Sequence, residues 1–370
     1  MAHAPLGDLE RRLRAEPGLA RKAQIVVEAA RIADLGALQA LLARGADLNA
    51  SWRNYRPLHA LIQEKPHAPG APDEEGGLDP ARLACLDWLL ANGADPEALG
   101  AWPSMRALLV AAFTGIPEYV ETLRAAGARM DLAAQAALGE LAAVRKALAR
   151  DPSLARRGDE SGLTPLHACA GSRLFANDPR GAKRLRDIAA LLLDAHADPN
   201  ARVRSWGHDV DVAYFALGAR HVELFELLLE RGADATSALA SAAWTADTRF
   251  AEVALARGAD PDRARQEGRP ILNELVRWGQ VVPALWLLEH GASPNLPDER
   301  GWTALHQAAS RGNERMLRAL LAKGGDASLR DSEGLTPLDV ARSRGRPALV
   351  ELLSGGPPPA PKPRRPRRKA

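Results

Sequence analysis

The chain restarts its own pattern at a fixed interval. A helix-loop-helix pattern that opens at Thr303 opens again at Thr336, 33 residues later. A unit of that size cannot bury its own apolar face, so copies must stack and bury one another. Within the unit, Thr303 can cap a first helix with its hydroxyl, and at 100° per residue Leu305, Ala308 and Ala309 share one stripe. Gly312 stops that helix, and Met316, Leu317, Leu320 and Leu321 give a second helical stripe. Gly324 suits the left-handed residue that commonly ends a helix, and residues 325–334 read as a hairpin-like connection.

The same ending recurs along the chain as Gly45-Ala46-Asp47, Gly93-Ala94-Asp95, Gly127-Ala128, His196-Ala197-Asp198, Gly232-Ala233-Asp234, Gly258-Ala259-Asp260 and Gly291-Ala292-Ser293. With Asp151-Pro152 as a degenerate copy, about ten units end near Gly356. Length alone would suggest two or three ordinary domains, an expectation that a repeat array sets aside. The composition fits an array. Hydrophobic residues make up 46% but aromatics only 4%, which is the recipe for an Ala/Leu core between closely packed helices.

The clearest copy of the unit's start is Thr164-Pro165-Leu166-His167-Ala168-Cys169-Ala170. Pro165 falls where a missing N–H costs nothing and a fixed φ helps to start the helix. This Thr-Pro-Leu-His-x-Ala signature at a period of 33 resembles the ankyrin repeat family. The resemblance implies an all-α ankyrin-repeat solenoid of about ten helix-turn-helix repeats with short hairpin fingers. It also implies that His167 and His306 bond the neighbouring Thr hydroxyl and loop backbone and so cross-link repeats. A metal or catalytic role for these histidines is the alternative, and no HExxH or paired Cys/His spacing supports it.

On this reading, residues 1–23 form an N-terminal capping segment with a short amphipathic helix, and residues 24–356 form the array. Two insertions, 65–80 and 171–183, are expected to project as exposed loops from one edge. After Gly127 and Gly232 the usual gap shrinks, so repeats four (130–151) and seven (237–260) should start with Ala-rich helices and have almost no finger. Repeat eight, Arg269-Pro270-Ile271-Leu272, aligns only with a one-residue slip. Residues 357–370 are too rich in proline for helix or sheet and read as a disordered basic tail. The tail explains the formal charge of +3: residues 361–370 hold six cations and no acid, and the remainder is mildly acidic.

Several function classes find no support. There is no 18-residue apolar run to span a membrane, and the first 20 residues lack the apolar segment of a signal peptide. Two distant cysteines, Cys85 and Cys169, fit a reduced, cytoplasmic setting. There is no phosphate-binding GxxxxGK[ST] loop, no GxGxxG after a strand and no GxSxG elbow, so no residue is given a catalytic, cofactor or metal role. The compact group His208-Asp209-Val210-Asp211 is read as finger residues, with Asp211 capping a helix.

What remains is a monomeric, non-enzymatic scaffold that binds a protein partner through the concave face of its C-terminal repeats. On an inner helix the third, sixth and seventh positions from the cap are buried, and the eighth points towards the groove beside the fingers. By resemblance, the two positions before the helix-ending Gly and the finger residues leading to Thr are contact positions. These place Trp244, Arg277, Trp278, Arg311 and Arg344 on one face, with Trp302 on the adjoining finger. Trp and Arg dominate binding hot spots because each joins large contact area to a directional polar group. Trp52, Trp102 and Trp206 are weaker finger candidates, while Trp88 and Trp286 fall on the core stripe of outer helices. Two further functions stay open: nucleic-acid or acidic-surface association through the tail, and an enzyme with a site in an inter-repeat groove.

Overall fold

The computed structural model describes residues 6–63, 79–101, 103–205, 208–245 and 247–355. The tail, nearly all of the insertion at 65–80, Trp102 and Trp206 lie outside the described residues.

Helix α1 (Leu6–Ala15) and a 3-10 turn (Pro17–Arg21) precede the first repeat, where the capping segment was expected. Helix pairs then follow one another: α2 (Ala23–Arg31) with α3 (Leu35–Leu42), α4 (Pro57–Gln63) with α5 (Pro80–Ala91), and α6 (Ala107–Thr114) with α7 (Pro117–Ala125). Next come α8 (Leu132–Ala137) with α9 (Leu141–Arg150), α10 (Pro165–Gly171) with α11 (Pro179–Asp194), and α12 (Val212–Gly218) with α13 (Val222–Glu230). The last four are α14 (Ala235–Ala242) with α15 (Thr248–Ala256), α16 (Ile271–Trp278) with α17 (Val281–Glu289), α18 (Ala304–Arg311) with α19 (Glu314–Ala322), and α20 (Pro337–Ser343) with α21 (Pro347–Leu353). Contacts divide the chain into two compact units, Met1–Ala233 and Asp234–Ala370.

Within each unit, inner helices pack on inner helices and outer on outer: α8 on α10 and α10 on α12 in the first, α16 on α18 and α18 on α20 in the second. Alanine makes this possible. Ala134, Ala136, Ala137, Ala168 and Ala170 are fully buried in the first unit, as are Ala304, Ala308 and Ala309 in the second. Close approach leaves no room for larger side chains and loses little side-chain entropy.

The fingers are short. Strands β1 (Arg202–Ser205) and β2 (His208–Asp211) pair antiparallel with Ser205 opposite His208, and β3 (Arg265–Gln266) pairs with β4 (Arg269–Pro270). Asp211 caps α12 by accepting the Tyr214 N–H at 3.0 Å, as its position in the sequence suggested. Asp131 and Asp234 cap α8 and α14 directly after the preceding repeat, leaving no finger there. The boundaries differ by two residues from expectation: α8 starts later, at Leu132, and α14 earlier, at Ala235.

Two sets of tethers fasten repeat to repeat. In the first, the Thr164 N–H and hydroxyl both reach His167 Nδ1 (3.2 and 2.8 Å), and Nε2–H donates to the Ala201 carbonyl at 3.1 Å. Thr303, His306 and the Leu335 carbonyl repeat this arrangement with the last bond again 3.1 Å. A carbonyl can only accept, so Nε2 carries the proton and Nδ1 is the acceptor. In repeat eight the one-residue slip puts Asn273 in the histidine's place, and its amide donates to the Leu296 and Trp302 carbonyls. In the second set, three of the helix-ending turns carry an Asn two residues after their Asp or Ser, and it donates to the next repeat's terminating Gly: Asn49 to Gly93, Asn200 to Gly232, Asn295 to Gly324.

The segment at 171–183 departs from expectation. Residues from Pro179 onward are helical and lengthen α11. The connecting residues do not project freely. Ser172 is fully buried, the Arg173 N–H donates to the Ala112 carbonyl at 2.9 Å, and the Ser172 carbonyl accepts from His221 Nε2 at 2.6 Å. Phe175 lies over Gly139 and Gly181, where a Cβ would meet its ring at 2.9 and 2.2 Å, and Arg184 covers that ring. Contacts to three other repeats therefore hold a loop that composition alone marked as exposed. Both cysteines are free and buried, with their thiols donating to the Ala33 and Leu185 carbonyls. Trp88 and Trp286 are half-buried, and Trp286 stacks on His290 with ring centroids 3.9 Å apart.

Candidate functional site: the arginine and tryptophan end of the inner helices

The last turn of α16 is built on Glu274. Its side chain is only 6% exposed, which would be costly for a lone carboxylate. The helix supplies its partners at the spacings that share a face. Arg277, three residues on, approaches Oε1 at 3.1 Å, and the Trp278 indole N–H, four residues on, donates to Oε2 at 3.1 Å. Arg269 comes within 3.6 Å from the adjoining finger. Two cations thus face the buried carboxylate, Arg269 being shared with Glu267 at 3.5 Å.

That arrangement holds Trp278 by its nitrogen while leaving 58% of the residue in solvent. The Arg277 guanidinium lies 5.7 Å from the centre of its ring. α16 ends at Gly279, whose φ of +76° suits glycine, and α18 ends the same way at Gly312 with φ +77°. The bare glycines also leave room for arginines from the next repeat. Arg311 Nε donates to the Arg277 carbonyl, and a Cβ on Gly279 would lie 3.7 Å from Arg311 Nη1. One repeat later Arg346 lies over Gly312, where a Cβ would be 3.0 Å from its Nε. Each guanidinium sits at the negative end of a helix dipole and is favoured there. Arg344, at the end of α20, is exposed.

Trp302 is placed differently. The Asp298 carboxylate accepts the Arg300 and Trp302 N–H groups, each at 2.9 Å, and shapes the finger tip. Asp331 does the same for Glu333 and Leu335. The Trp302 indole N–H donates to Asp331 Oδ2 at 2.9 Å, so the ring spans two successive fingers, with Arg300 5.0 Å from its centre. Burial would raise the Asp331 carboxyl, but the Leu335 and Glu333 amides and the indole outweigh it and hold it below its ordinary value. Trp302 is half-buried, and its carbonyl joins it to α16 through Asn273. Trp244, just past α14, is also half-buried, and its indole nitrogen is shielded from solvent.

Of the six candidates, the structure brings Arg277, Trp278 and Arg311 together and leaves Arg344 exposed on a later helix end. It turns the indole nitrogens of Trp302 and Trp244 inward. Sequence reading missed Glu274, which looked like one helix-surface acid among many, and Arg346, which lies outside the two positions before the terminating Gly. The i, i+3, i+4 spacing of Glu274, Arg277 and Trp278 was the available signal for the first.

Among the described residues no cluster of three His, Cys, Asp or Glu could hold a metal ion, and no helix is long and apolar enough to cross a membrane. The family model for ankyrin repeats in many copies matches residues 287–341, and the one for the single ankyrin repeat matches 161–204. No curated protein matches the chain. Among solved structures, the ankyrin repeat domain of Bcl-3, described as a unique member of the IkappaB protein family, is 28% identical. That match covers 60% of this chain and 99% of the Bcl-3 chain, with a TM-score of 0.48. The human ASB11 ankyrin repeat domain is 26% identical over 62% of this chain and all of its own, with a TM-score of 0.46. The matched segments are those in which the Thr-x-x-His tethers of α10 and α18 recur, and residues 161–204 and 287–341 are repeats of the ankyrin family.

Proposed function

We propose that the chain is a non-enzymatic scaffold that binds a protein partner through the inner-helix ends and fingers of its C-terminal repeats. Ankyrin repeats are protein–protein interaction modules, and the finer claim is which face is used here. One observation carries it: Trp278 is mostly exposed while its indole nitrogen is already fixed on a buried carboxylate. A pinned aromatic gives up little conformational entropy on binding, which is how an anchor residue gains affinity. The exposed Trp278 ring beside the Arg311 guanidinium suits an aromatic or acidic protein segment.

The test is site-directed photo-crosslinking in cell extract, with p-benzoylphenylalanine in place of Trp278 or of Val282, an exposed residue on the outer helix α17. A protein adduct should form from position 278 and not from 282. It should persist in a chain lacking residues 362–370, the outcome that separates this reading from attachment by the basic tail. Adducts from 282 alone, or loss of the adduct with the tail, would overturn it.

A further inference from the structure

Resting on that reading of the face, we infer that its partner is an extended acidic peptide with carboxylates at every third residue. The inference comes from where the guanidiniums stop. Arg277 and Arg269 are consumed in neutralising Glu274, so the charge offered at the end of α16 is that of Arg311, held there by the Arg277 carbonyl. At the end of α18 the charge is Arg346, lying over Gly312. At the end of α20 it is Arg344. None of Arg311, Arg346 and Arg344 has a carboxylate partner among the described residues. Three successive inner-helix ends therefore carry one uncompensated cation each, and Trp278 stands beside the first.

Neighbouring packed helices lie ~8–10 Å apart. An extended peptide advances about 3.3 Å per residue, so three residues of it match one repeat. Carboxylates at positions i, i+3 and i+6 would meet Arg311, Arg346 and Arg344 in turn, with an apolar side chain next to the first on Trp278. Two of the cations are already laid on glycine or bonded to a helix end, so binding need not order them.

The occupant is a peptide rather than a nucleic acid because the cations are local. Between residues 234 and 355 there are fifteen basic and sixteen acidic side chains, so the unit as a whole offers no positive field. The fingers bordering the strip carry exposed Glu299 and Glu333. A narrow cationic line edged by acids accepts one strand of spaced charges and repels a broad polyanion.

Binding of labelled peptides to the full chain, followed by fluorescence anisotropy, tests this. The probes are a leucine followed by three glutamates spaced three apart, the same composition with the glutamates adjacent, and an oligothymidylate of equal charge. The spaced peptide should bind about tenfold or more tighter than the clustered one. The preference should vanish in R344Q/R346Q, whose exposed positions leave the fold intact. Equal affinity of the two peptides, no binding of either, or tighter binding of the oligothymidylate would overturn the spacing rule. The crosslink from position 278 is measured independently, so the rule can fail while the face stands, or fall together with it.

Discussion

His167 can join two repeats only as a neutral imidazole, because Nδ1 must accept from Thr164 while Nε2 donates to Ala201. Burial enforces that state, pulling His167 and His59 down from 6.5 to about 4, against the pull of their carbonyl partners. Replacing His167 with Ala removes both bonds, a fully buried ring and its edge contact with Phe215. The cost should be about 2–4 kcal/mol in urea unfolding. A loss near zero would mean the tether is dispensable. Asn should be the best substitute, because Asn273 already makes the cross-repeat bonds at the equivalent place in repeat eight. The Thr-x-x-His tether was legible in sequence only through the family resemblance its motif carries, since its far partner, the Ala201 carbonyl, lies 34 residues on. Asn273 was not, because only the partner's distance identifies it.

At the scale of elements, α10 is held by Leu166, fully buried against its neighbours, and Leu166→Ala should cost about 2–5 kcal/mol. Because stability in an array is passed between neighbours, hydrogen exchange should rise first in α8, α10 and α12. Uniform loosening of the whole chain would contradict that local coupling. The loop ahead of α11 makes an opposite case. Its Gly, Asn and Pro composition reads as an exposed edge, yet Phe175 and the Ser172 and Arg173 backbone tie it to other repeats. Trypsin should therefore cut slowly at Arg173 in the native chain and markedly faster in Phe175→Ala. Equal rates would show that Phe175 does not hold the loop. Helices and caps were readable from period and Gly because they depend on residues within one turn. This loop depends on contacts tens of residues away, which no local pattern encodes.

For the molecule as a whole, the buried histidines set the response to acid. His59 and His167 are neutral in the folded chain down to about 4, whereas unfolded histidine protonates below 6.5. Between those values the unfolded chain binds more protons, so stability is full above 6.5 and falls as pH drops towards 4, by roughly 3 kcal/mol per histidine. His221 and His306 are shifted in the same direction by burial. Melting temperature should decline steeply across that window, and His167→Asn should flatten it; an unchanged slope would assign the acid response elsewhere. The array's existence followed from the 33-residue restart, but its binding face did not, because exposure is a property of packing. Trp244, Trp278 and Trp302 look equivalent in sequence, and only Trp278 remains mostly in solvent with its nitrogen already satisfied. The most direct measurement is therefore Trp278→Ala, with partner affinity and melting temperature taken on the same preparation. Binding should weaken about tenfold or more, with the melting temperature nearly unchanged. A melting temperature lowered by several degrees with affinity intact would make Trp278 a packing residue and remove the anchor from the proposed face.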